Sequence, residues 1–320
     1  MSAKEAAAAI VVNWNGGGYL RRCIDCLLAQ SSKPERIIVV DNASDDESIE
    51  SLDACVSGVE VIRLNRNIGF AAANNVALQR TAGCAWIALV NPDAFAAPEW
   101  LAQLRGAALS NPEYACFASR ILSDAEPTLL DGAGDGYHFS GWSGRRGYNT
   151  QAAGHYLNQE EVFSPCAAAA FYRREALMEV GGFDESFFCY MEDVDLGFRM
   201  RLRGHQCLYV PTAVARHVGS GSTSKYSDVS VYYGHRNVVW TFFKNMPLLL
   251  LMVLLIPHLI MNVAGVVRFA KRGKGRLILK AKWAAMKGLI PILRQRREIT
   301  KHRRSSIRDI AGMLSFWPYG

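Results

Sequence analysis

The chain has 320 residues, of which 50% are hydrophobic, 20% charged and 10% aromatic, which excludes a disordered chain, a collagen and a small disulfide-stabilised protein. Its net charge of +7 is uneven: residues 268–309 contain fifteen Lys and Arg against two acids, so that stretch carries +13 and the remainder −6. A basic tail beside an apolar segment favours an anionic membrane surface as a partner. No nucleic acid is expected, because the tail lacks a clear groove-reading motif.

Short apolar runs alternate with helical patterns through the first ninety residues. They predict strands at 8–12, 36–40, 59–64 and 85–90, and helices at 19–30, 46–55 and 69–80. This rhythm predicts a parallel sheet with helices on both faces, an α/β fold. Further strands are predicted at 166–171, 206–210 and 213–217. The Gly-rich region 118–159 is predicted to contain flexible loops.

Eight cysteines are scattered through the chain, mostly within apolar stretches. Cys23 and Cys26 form a CxxC without a second pair at zinc-finger spacing, so we expect them to share one face of a helix rather than to bind metal. The apolar run 6–12 has neither a basic start nor a cleavage-like site, as a signal peptide would. A reducing, cytoplasmic setting is therefore expected.

Asn and Asp residues follow each of the first four predicted strands. In an open α/β sheet, ligands bind beyond the carboxyl ends of the strands, so these side chains are expected to converge on one crevice. Any one of them also fits an ordinary turn or helix cap. The residues are Asn13, Asn15, Asp41, Asn42, Asn65, Asn67, Asn91 and Asp93.

Three further features carry possible chemistry. Asp93 after an apolar strand suits Mg²⁺ or Mn²⁺ bridging two phosphates, and His217 could add a ligand. The densest acidic cluster, residues 192–195, suits a general base for a hydroxyl nucleophile, although acids at a helix start also favour the helix dipole. In the Gly-rich region, Trp142 with Arg145 and Arg146 could contact a phosphate or a sugar face.

An ordered set of segments resembles the family 2 glycosyltransferases over residues 8–245, and is most similar to their rhamnosyltransferase-like branch. The segments are Val-Val-Asn13-Trp-Asn15, Val-Val-Asp41-Asn-Ala-Ser44, Asn67-Ile-Gly-Phe70 with Asn74, Val-Asn91-Pro-Asp93, Val180-Gly-Gly-Phe-Asp-Glu185, Glu192-Asp-Val-Asp-Leu196, Ala215-Arg-His217 and Tyr233-Gly-His-Arg-Asn237. One departure is the Asn-Pro-Asp motif, which offers one carboxylate rather than two and weakens the expectation of tight metal binding.

The resemblance implies a GT-A fold, a nucleotide-sugar donor, a divalent cation (Mg²⁺ or Mn²⁺) and an inverting single displacement. By position, Asp193 would be the catalytic base, with Glu192 beside it. Asp93 would bind metal and diphosphate, and His217 would complete the metal site. The donor would be held by Asn13, Asn15, Asp41, Asn42, Asn65, Asn67, Asn74, Asn91 and Asp93. The acceptor would meet Trp142, Asp195, Arg236 and Asn237.

The composition changes near residue 245, which predicts a GT-A domain at 1–245 and an apolar and basic helical segment at 246–320. Residues 248–267 are long enough to span a bilayer. A single span would place the basic tail outside, against the positive-inside rule, and a hairpin with 277–293 would bury several lysines. An interfacial segment fits better, although a helix packed on the body or in a dimer interface stays open.

The sequence thus predicts a metal-dependent inverting glycosyltransferase, peripheral on the cytoplasmic face of the cell membrane. It would move a sugar from a dTDP- or UDP-sugar to a glycan or lipid-linked acceptor in cell-surface polysaccharide synthesis. Rhamnose follows from the branch resemblance. A nucleotidyltransferase of related fold and a non-catalytic membrane-surface or nucleic-acid binding protein are the alternatives. The linkage, the metal and the oligomeric state stay open.

Overall fold

A computed structural model describes residues 6–53, 58–219 and 227–316. The strands are β1 (Ala7–Asn13), β2 (Arg36–Asp41), β3 (Val59–Arg63), β4 (Trp86–Val90), β5 (Ala94–Ala96), β6 (Tyr114–Ser123), β7 (Leu130–Ala133), β8 (Asp135–His138), β9 (Ser143–Arg145), β10 (Glu160–Val162), β11 (Ala169–Arg173), β12 (Gln206–His217) and β13 (Leu314–Ser315). The helices are α1 (Gly17–Leu28), α2 (Glu50–Asp53), α3 (Phe70–Leu78), α4 (Trp100–Ser110), α5 (Arg174–Glu179), α6 (Glu192–Leu202), α7 (Asp228–Asn245), α8 (Leu248–Lys271), α9 (Gly275–Lys287), α10 (Leu289–Lys301) and α11 (Ile307–Gly312). Two 3₁₀ turns lie at Gly154–Leu157 and Glu185–Phe187.

A mixed sheet forms the centre, with strand order β3-β2-β1-β4-β11-β6-β12-β10. The first four strands are mutually parallel, and β11 runs antiparallel between β4 and β6. Every residue of β1 is buried, and its alternate residues enter two different cores, one on each face of the sheet. Helices α1 and α4 cover one face, and α3, α5 and α6 cover the other. This two-sided burial explains why the strands are continuous apolar runs.

The predicted first half of the sheet is confirmed. The predicted helix at 46–55 is described as the short α2, and Cys55 lies outside the described residues. The strands predicted at 206–210 and 213–217 form one strand, β12. Cys23 and Cys26 both lie on α1, and the seven described cysteines are free thiols.

The prediction of flexible loops within 118–159 is wrong. This region contains β7, β8 and β9, and β8 pairs antiparallel with β9. Two of its glycines lie in the turns between these strands: Gly134 has φ 77° and Gly141 has φ 87°, conformations that favour glycine. The strands bury two carboxylates, Asp131 and Asp135, which are 6% and 4% exposed.

The C-terminal helices pack on the body. Helices α9 and α10 contact α7, α8 contacts α9, and β13 adds a parallel strand to β8. Within the part of the chain that the structure describes, α8 is the helix long and apolar enough to cross a membrane, by length and composition. Its inner side is tied to the body, because the buried His258 ring stacks on Phe242 at 3.9 Å and its Nδ1 lies 2.8 Å from the Ser140 carbonyl oxygen.

Candidate active site

Asn13 and Asp41 stand side by side at the carboxyl ends of β1 and β2, where they are paired in register. Asn13 Nδ2 donates to Asp41 Oδ1 (3.3 Å), Ser44 Oγ (3.0 Å) and Ser48 Oγ (2.8 Å). The Ser44 hydroxyl donates to Asp41 Oδ1 at 2.6 Å. No hydrogen bond from the described residues ends on Asp41 Oδ2. This oxygen therefore suits a ligand hydroxyl or N–H.

A second polar group holds the loop after β3 against this edge. Asn42 Nδ2 donates to Asn67 Oδ1 (2.9 Å), and Asn42 Oδ1 accepts from the Ile68 backbone N–H (2.9 Å). Asn67 Oδ1 also accepts from the Gly69 N–H at 2.9 Å. Asn65 lies exposed in the same bend. The predicted donor residues of β2 and of the β3 loop are thus brought together.

The other predicted donor residues have different surroundings. Asn15 has φ 53°, and its Oδ1 accepts from the Asp45 N–H at 2.9 Å, which ties the first loop to the second. Asn74 is 1% exposed and donates within its own helix to the Phe70 carbonyl, so it supports α3 rather than facing the crevice. Asn91 Oδ1 is buried without a partner among the described residues.

Asp93 belongs to a connected set of charged residues that also contains His217, Asp131 and Arg145. His217 Nε2 lies 3.2 Å from Asp93 Oδ1, and His217 Nδ1 lies 2.9 Å from Asp131 Oδ2. Arg145 forms an ion pair with the same Asp131 oxygen. Burial lowers the pKa of His217, but its hydrogen bonds to Asp131 and Asp93 outweigh burial and raise that pKa to about 9.

An imidazole nitrogen beside a carboxylate oxygen is a donor set that Mn²⁺ accepts well, whereas Mg²⁺ prefers oxygen alone. Asp93 and His217 therefore fit the divalent cation that the resemblance implied. A third cluster offers a less suitable set: Asp135, Cys166 and Asp193 have ligand atoms within 4.8 Å of one another. Burial raises the pKa of the Cys166 thiol well above its usual value, so the thiol stays protonated and is a poor ligand for a hard cation.

Asp193 lies in the first turn of α6. Its Oδ2 accepts from the Ala167 N–H at 3.2 Å and its Oδ1 from the Val194 N–H at 2.8 Å. Burial raises the pKa of Asp193, while these two backbone bonds and the charge of Arg145 oppose the rise. A fixed carboxylate with a raised pKa is a suitable proton acceptor near neutral pH.

Glu192 precedes Asp193 in the same turn, and its Oε2 is buried without a partner among the described residues. Burial, reinforced by the charge of Asp193, raises the pKa of Glu192 well above its usual value. Asp135 is buried too, and burial together with Asp193 raises its pKa well above the usual range. In both side chains burial therefore favours the neutral acid, beside an ionisable Asp193.

Asp195, predicted at the acceptor, is instead bound within the fold. It is 0% exposed, and its carboxylate accepts from Arg199 (2.8 Å), Lys244 (2.8 Å) and Asn245 (2.7 Å). Lys244 also donates to Asp184 at 2.6 Å. These contacts join α6 to α7. We therefore leave Asp195 out of the acceptor site that we propose.

Arg236 and Asn237 contact the strained segment just before Asp193. Asn237 Nδ2 lies within hydrogen-bond distance of three carbonyl oxygens, those of residues 187 (2.9 Å), 189 (3.0 Å) and 190 (2.7 Å). Arg236 Nη2 donates to the carbonyls of residues 186 and 187, each at 2.8 Å. Phe188, Tyr190 and Met191 have φ of 65°, 65° and 69°. The pair thus fixes a backbone that side-chain-bearing residues rarely adopt.

The same segment contacts the donor side of the crevice. Ala71 N–H donates to the Phe188 carbonyl at 3.1 Å, and Gly69 (φ 89°) lies so close that a Cβ there would be 2.6 Å from Phe188. Trp142, predicted near the acceptor, lies half-buried in the turn between β8 and β9, with its ring centroid 6.4 Å from that of His235 on α7.

Comparison with known proteins places this chain in a family. Residues 8–181 match the model of "Glycosyl transferase family 2". The chain belongs to this family. It is 27% identical over 238 residues to the "N-acetylglucosaminyl-diphospho-decaprenol L-rhamnosyltransferase" of Mycobacterium tuberculosis, covering 68% of this chain and 77% of that protein. It is 24% identical to the "O-antigen chain rhamnosyltransferase RfbN" of Salmonella typhimurium, covering 70% and 71%.

Solved structures agree on the fold. GalNAc-T7 with UDP, GalNAc and Mn²⁺ superposes with a TM-score of 0.62 at 16% identity, covering 75% of this chain and 48% of that one. A mannosyltransferase from Pyrobaculum calidifontis with GDP-Man and Mn²⁺ superposes with a TM-score of 0.54 at 14% identity, covering 92% and 83%. The protein is thus a glycosyltransferase of GT-A fold, similar to the rhamnosyltransferase-like branch, and both predictions are confirmed.

Sequence reasoning did not identify the site roles of three residues, Asp131, Asp135 and Arg145. Asp131 and Asp135 lie in a stretch interpreted as a flexible loop, and Arg145 was considered only for a phosphate or sugar. Two acids spaced four apart and bounded by glycines were the available signal. Nothing in that spacing shows that a hairpin would bury them between His217 and Asp193.

Proposed function

We propose that this glycosyltransferase transfers a sugar, with inversion, from a dTDP- or UDP-sugar to a lipid-linked glycan acceptor, and that rhamnose is the sugar. One observation carries the proposal: contacts run from Asp93 through His217 and Asp131 to Arg145, and the charge of Arg145 acts on Asp193, whose pKa it lowers against the effect of burial. The diphosphate end and the base end of a displacement reaction therefore share one site.

The proposed site residues have distinct tasks in this reaction. Asp41 and the Asn42–Asn67 pair bind the nucleoside at the ends of β2 and β3. Asp93 and His217 would hold a divalent cation, which supplies positive charge to the leaving diphosphate when bound. Asp193 accepts the proton of the acceptor hydroxyl on the opposite face of the sugar, which gives inversion.

The membrane is the partner that the C-terminal helices fit. One side of α8 contacts the body, and the other is an exposed apolar stripe of residues more than 45% exposed. The stripe comprises Leu248, Leu249, Met252, Val253, Ile256, Leu259, Ile260, Val263 and Val267. Helices α9 and α10 also carry exposed apolar residues: Leu279, Trp283, Met286, Ile290 and Leu293.

The contacts of the inner side favour a helix lying in the membrane surface over one that crosses it. His258 is bound to Ser140, and Asn262 Oδ1 accepts from Lys282 Nζ of α9 at 2.5 Å. A spanning α8 would carry these polar contacts and the attached body into hydrocarbon, where polar groups are costly. Exposed Lys and Arg residues on the same three helices suit anionic headgroups. We therefore propose a peripheral position on the cytoplasmic leaflet.

Thermal unfolding against a panel of nucleoside diphosphates, with and without Mn²⁺, tests the donor site. A bound nucleotide at about 100 times its Kd stabilises by roughly 2.7 kcal/mol. We expect a Mn²⁺-dependent rise in melting temperature with dTDP or UDP, lost in Asp93→Ala. A folded protein that responds to no nucleotide would contradict the enzyme site and favour a membrane-binding protein without catalysis.

Flotation with lipid vesicles tests the membrane position. We expect the protein to float with vesicles containing phosphatidylglycerol and to float less with pure phosphatidylcholine. Trp283→Asp should reduce flotation, since Trp283 is 63% exposed on α9. Leu109→Asp is the matched control, because Leu109 is 68% exposed on α4. Equal flotation of both variants with wild type would contradict the proposed surface.

A further inference from the structure

Asp131 occupies an irregular position in β7. Ile121 of β6 pairs with Gly132, and Leu122 pairs with Leu130, so the register shifts across Asp131. A bulge of this kind turns one side chain away from the regular alternation of a strand, and bulges are frequent beside active sites. The bulge directs the Asp131 carboxylate toward the end of β12, where His217 pairs with Ala94 next to Asp93.

The contacts of Asp131 determine how the imidazole of His217 is held. A carboxylate offers acceptors only, so the proton of the 2.9 Å contact lies on His217 Nδ1. Nε2 lies 3.2 Å from Asp93 Oδ1, also a carboxylate oxygen, so it donates a proton there, and a divalent cation held by Asp93 and His217 would displace that proton. Arg145 pairs with the same Asp131 oxygen, which holds that carboxylate in place beside the ring.

We infer that Asp131 is a positioning residue, which fixes the ring of His217 so that Nε2 faces the divalent cation proposed to bind at Asp93. This inference rests on the proposed function, which supplies the cation. A histidine that binds a metal usually donates its other ring N–H to a carboxylate, and loss of that carboxylate typically weakens metal binding by about 10–100-fold. Asp131 needs no contact with metal or substrate to have this effect.

Calorimetric titration of Mn²⁺ into the full-length protein, saturated with whichever of dTDP or UDP stabilises it, is the test. We expect Asp131→Ala to weaken Mn²⁺ binding by about 10–100-fold, and Asp131→Asn by less, because an amide oxygen can still accept from Nδ1. Glu160→Gln is the matched control, since Glu160 pairs at 2.6 Å with Arg146, the neighbour of Arg145. Its Mn²⁺ affinity should match wild type.

Pulsed electron paramagnetic resonance of bound Mn²⁺ provides a readout that a general loss of stability would not change. Wild type should show ¹⁴N modulation from the imidazole, and Asp131→Ala should show it weakened while nucleotide affinity without metal is unchanged. If wild type binds Mn²⁺ and both Asp131 variants bind it within threefold, this inference is wrong and the metal proposal stands. If folded wild type binds no Mn²⁺, the metal proposal fails and this inference fails with it. Should Asp131→Ala not fold, Asp131→Asn decides by the same spectrum.

Discussion

The donor side and the catalytic side of the crevice stabilise their polar groups in different ways. On the donor side, Asn13, Asp41 and Ser44 bond to one another, as do Asn42 and Asn67. On the catalytic side, Glu192 and Asp135 are buried acids with raised pKa values, and Glu192 Oε2 has no partner among the described residues. The first arrangement pre-forms a recognition surface. The second surrounds one base, Asp193, with buried acids whose pKa values are raised.

The largest effect should come from the base itself. Asp193→Asn keeps the shape of the side chain but removes the proton acceptor, so we expect sugar transfer to fall by roughly 10²–10⁴-fold. Nucleotide affinity, measured by thermal shift, should stay within about twofold of wild type. Asp25→Asn on the exposed side of α1 is the control for a carboxylate lost elsewhere. If Asp193→Asn transfers sugar at the wild-type rate, Asp193 is not the base, and the contrast drawn between the two sides fails.

Loss of the Asn237 amide should be next in size. Asn237→Ala removes the amide donor from three carbonyls of the strained segment before α6, of which that of residue 187 keeps Arg236 as a donor, and we expect it to lower the free energy of unfolding by roughly 2–4 kcal/mol. Urea unfolding measures this value. Asn65→Ala, at an exposed position of the donor side, should change stability by less than about 0.5 kcal/mol. If both variants lower the free energy of unfolding by similar amounts, the hydrogen bonds of Asn237 have no special role.

A smaller effect is expected on donor binding. Asp41→Ala removes the carboxylate whose Oδ2 receives no hydrogen bond from the described residues. A hydrogen bond to a charged group contributes about 1.5–3 kcal/mol, so nucleotide affinity should fall about 10–100-fold. Isothermal titration with dTDP and UDP measures it, and Asp124→Asn, whose carboxylate pairs with Arg22 of α1, is the control. If Asp41→Ala keeps the full nucleotide affinity, the nucleoside does not bind at Asp41.

The smallest effect should be a pH dependence of stability from Glu192. Its folded-state pKa is raised, so its contribution to stability is complete below the ordinary carboxyl pKa and is lost as the pH rises toward and through the raised value. Glu192→Gln has no such loss. The stability of this variant relative to wild type should therefore increase from pH 5 to pH 8 in urea unfolding. A difference independent of pH would show that Glu192 is not a buried neutral acid.

The two sides also differ in how far the sequence predicts them. The donor side comes from consecutive strands, and Asn or Asp at the end of each parallel strand must reach one edge of the sheet, so its crevice follows from the local pattern. Asn74 is the exception, because helical phase turned its amide back onto the Phe70 carbonyl of its own helix. The roles of Asp195 and Asn237 could not be predicted either, since their partners lie about fifty residues away in the chain.

By itself, the sequence determined the family, the parallel half-sheet, the candidate base Asp193 and the apolar and basic character of the C-terminal helices. Each of these depends on neighbouring residues or on an ordered set of motifs. Only the tertiary structure decided that the Gly-rich region forms a hairpin and that Asp131 and Arg145 stand behind His217. It also decided that one side of α8 contacts the body through His258. The physical reason is that burial and ion pairing depend on the distance in space between residues far apart in the chain, which local periodicity does not encode.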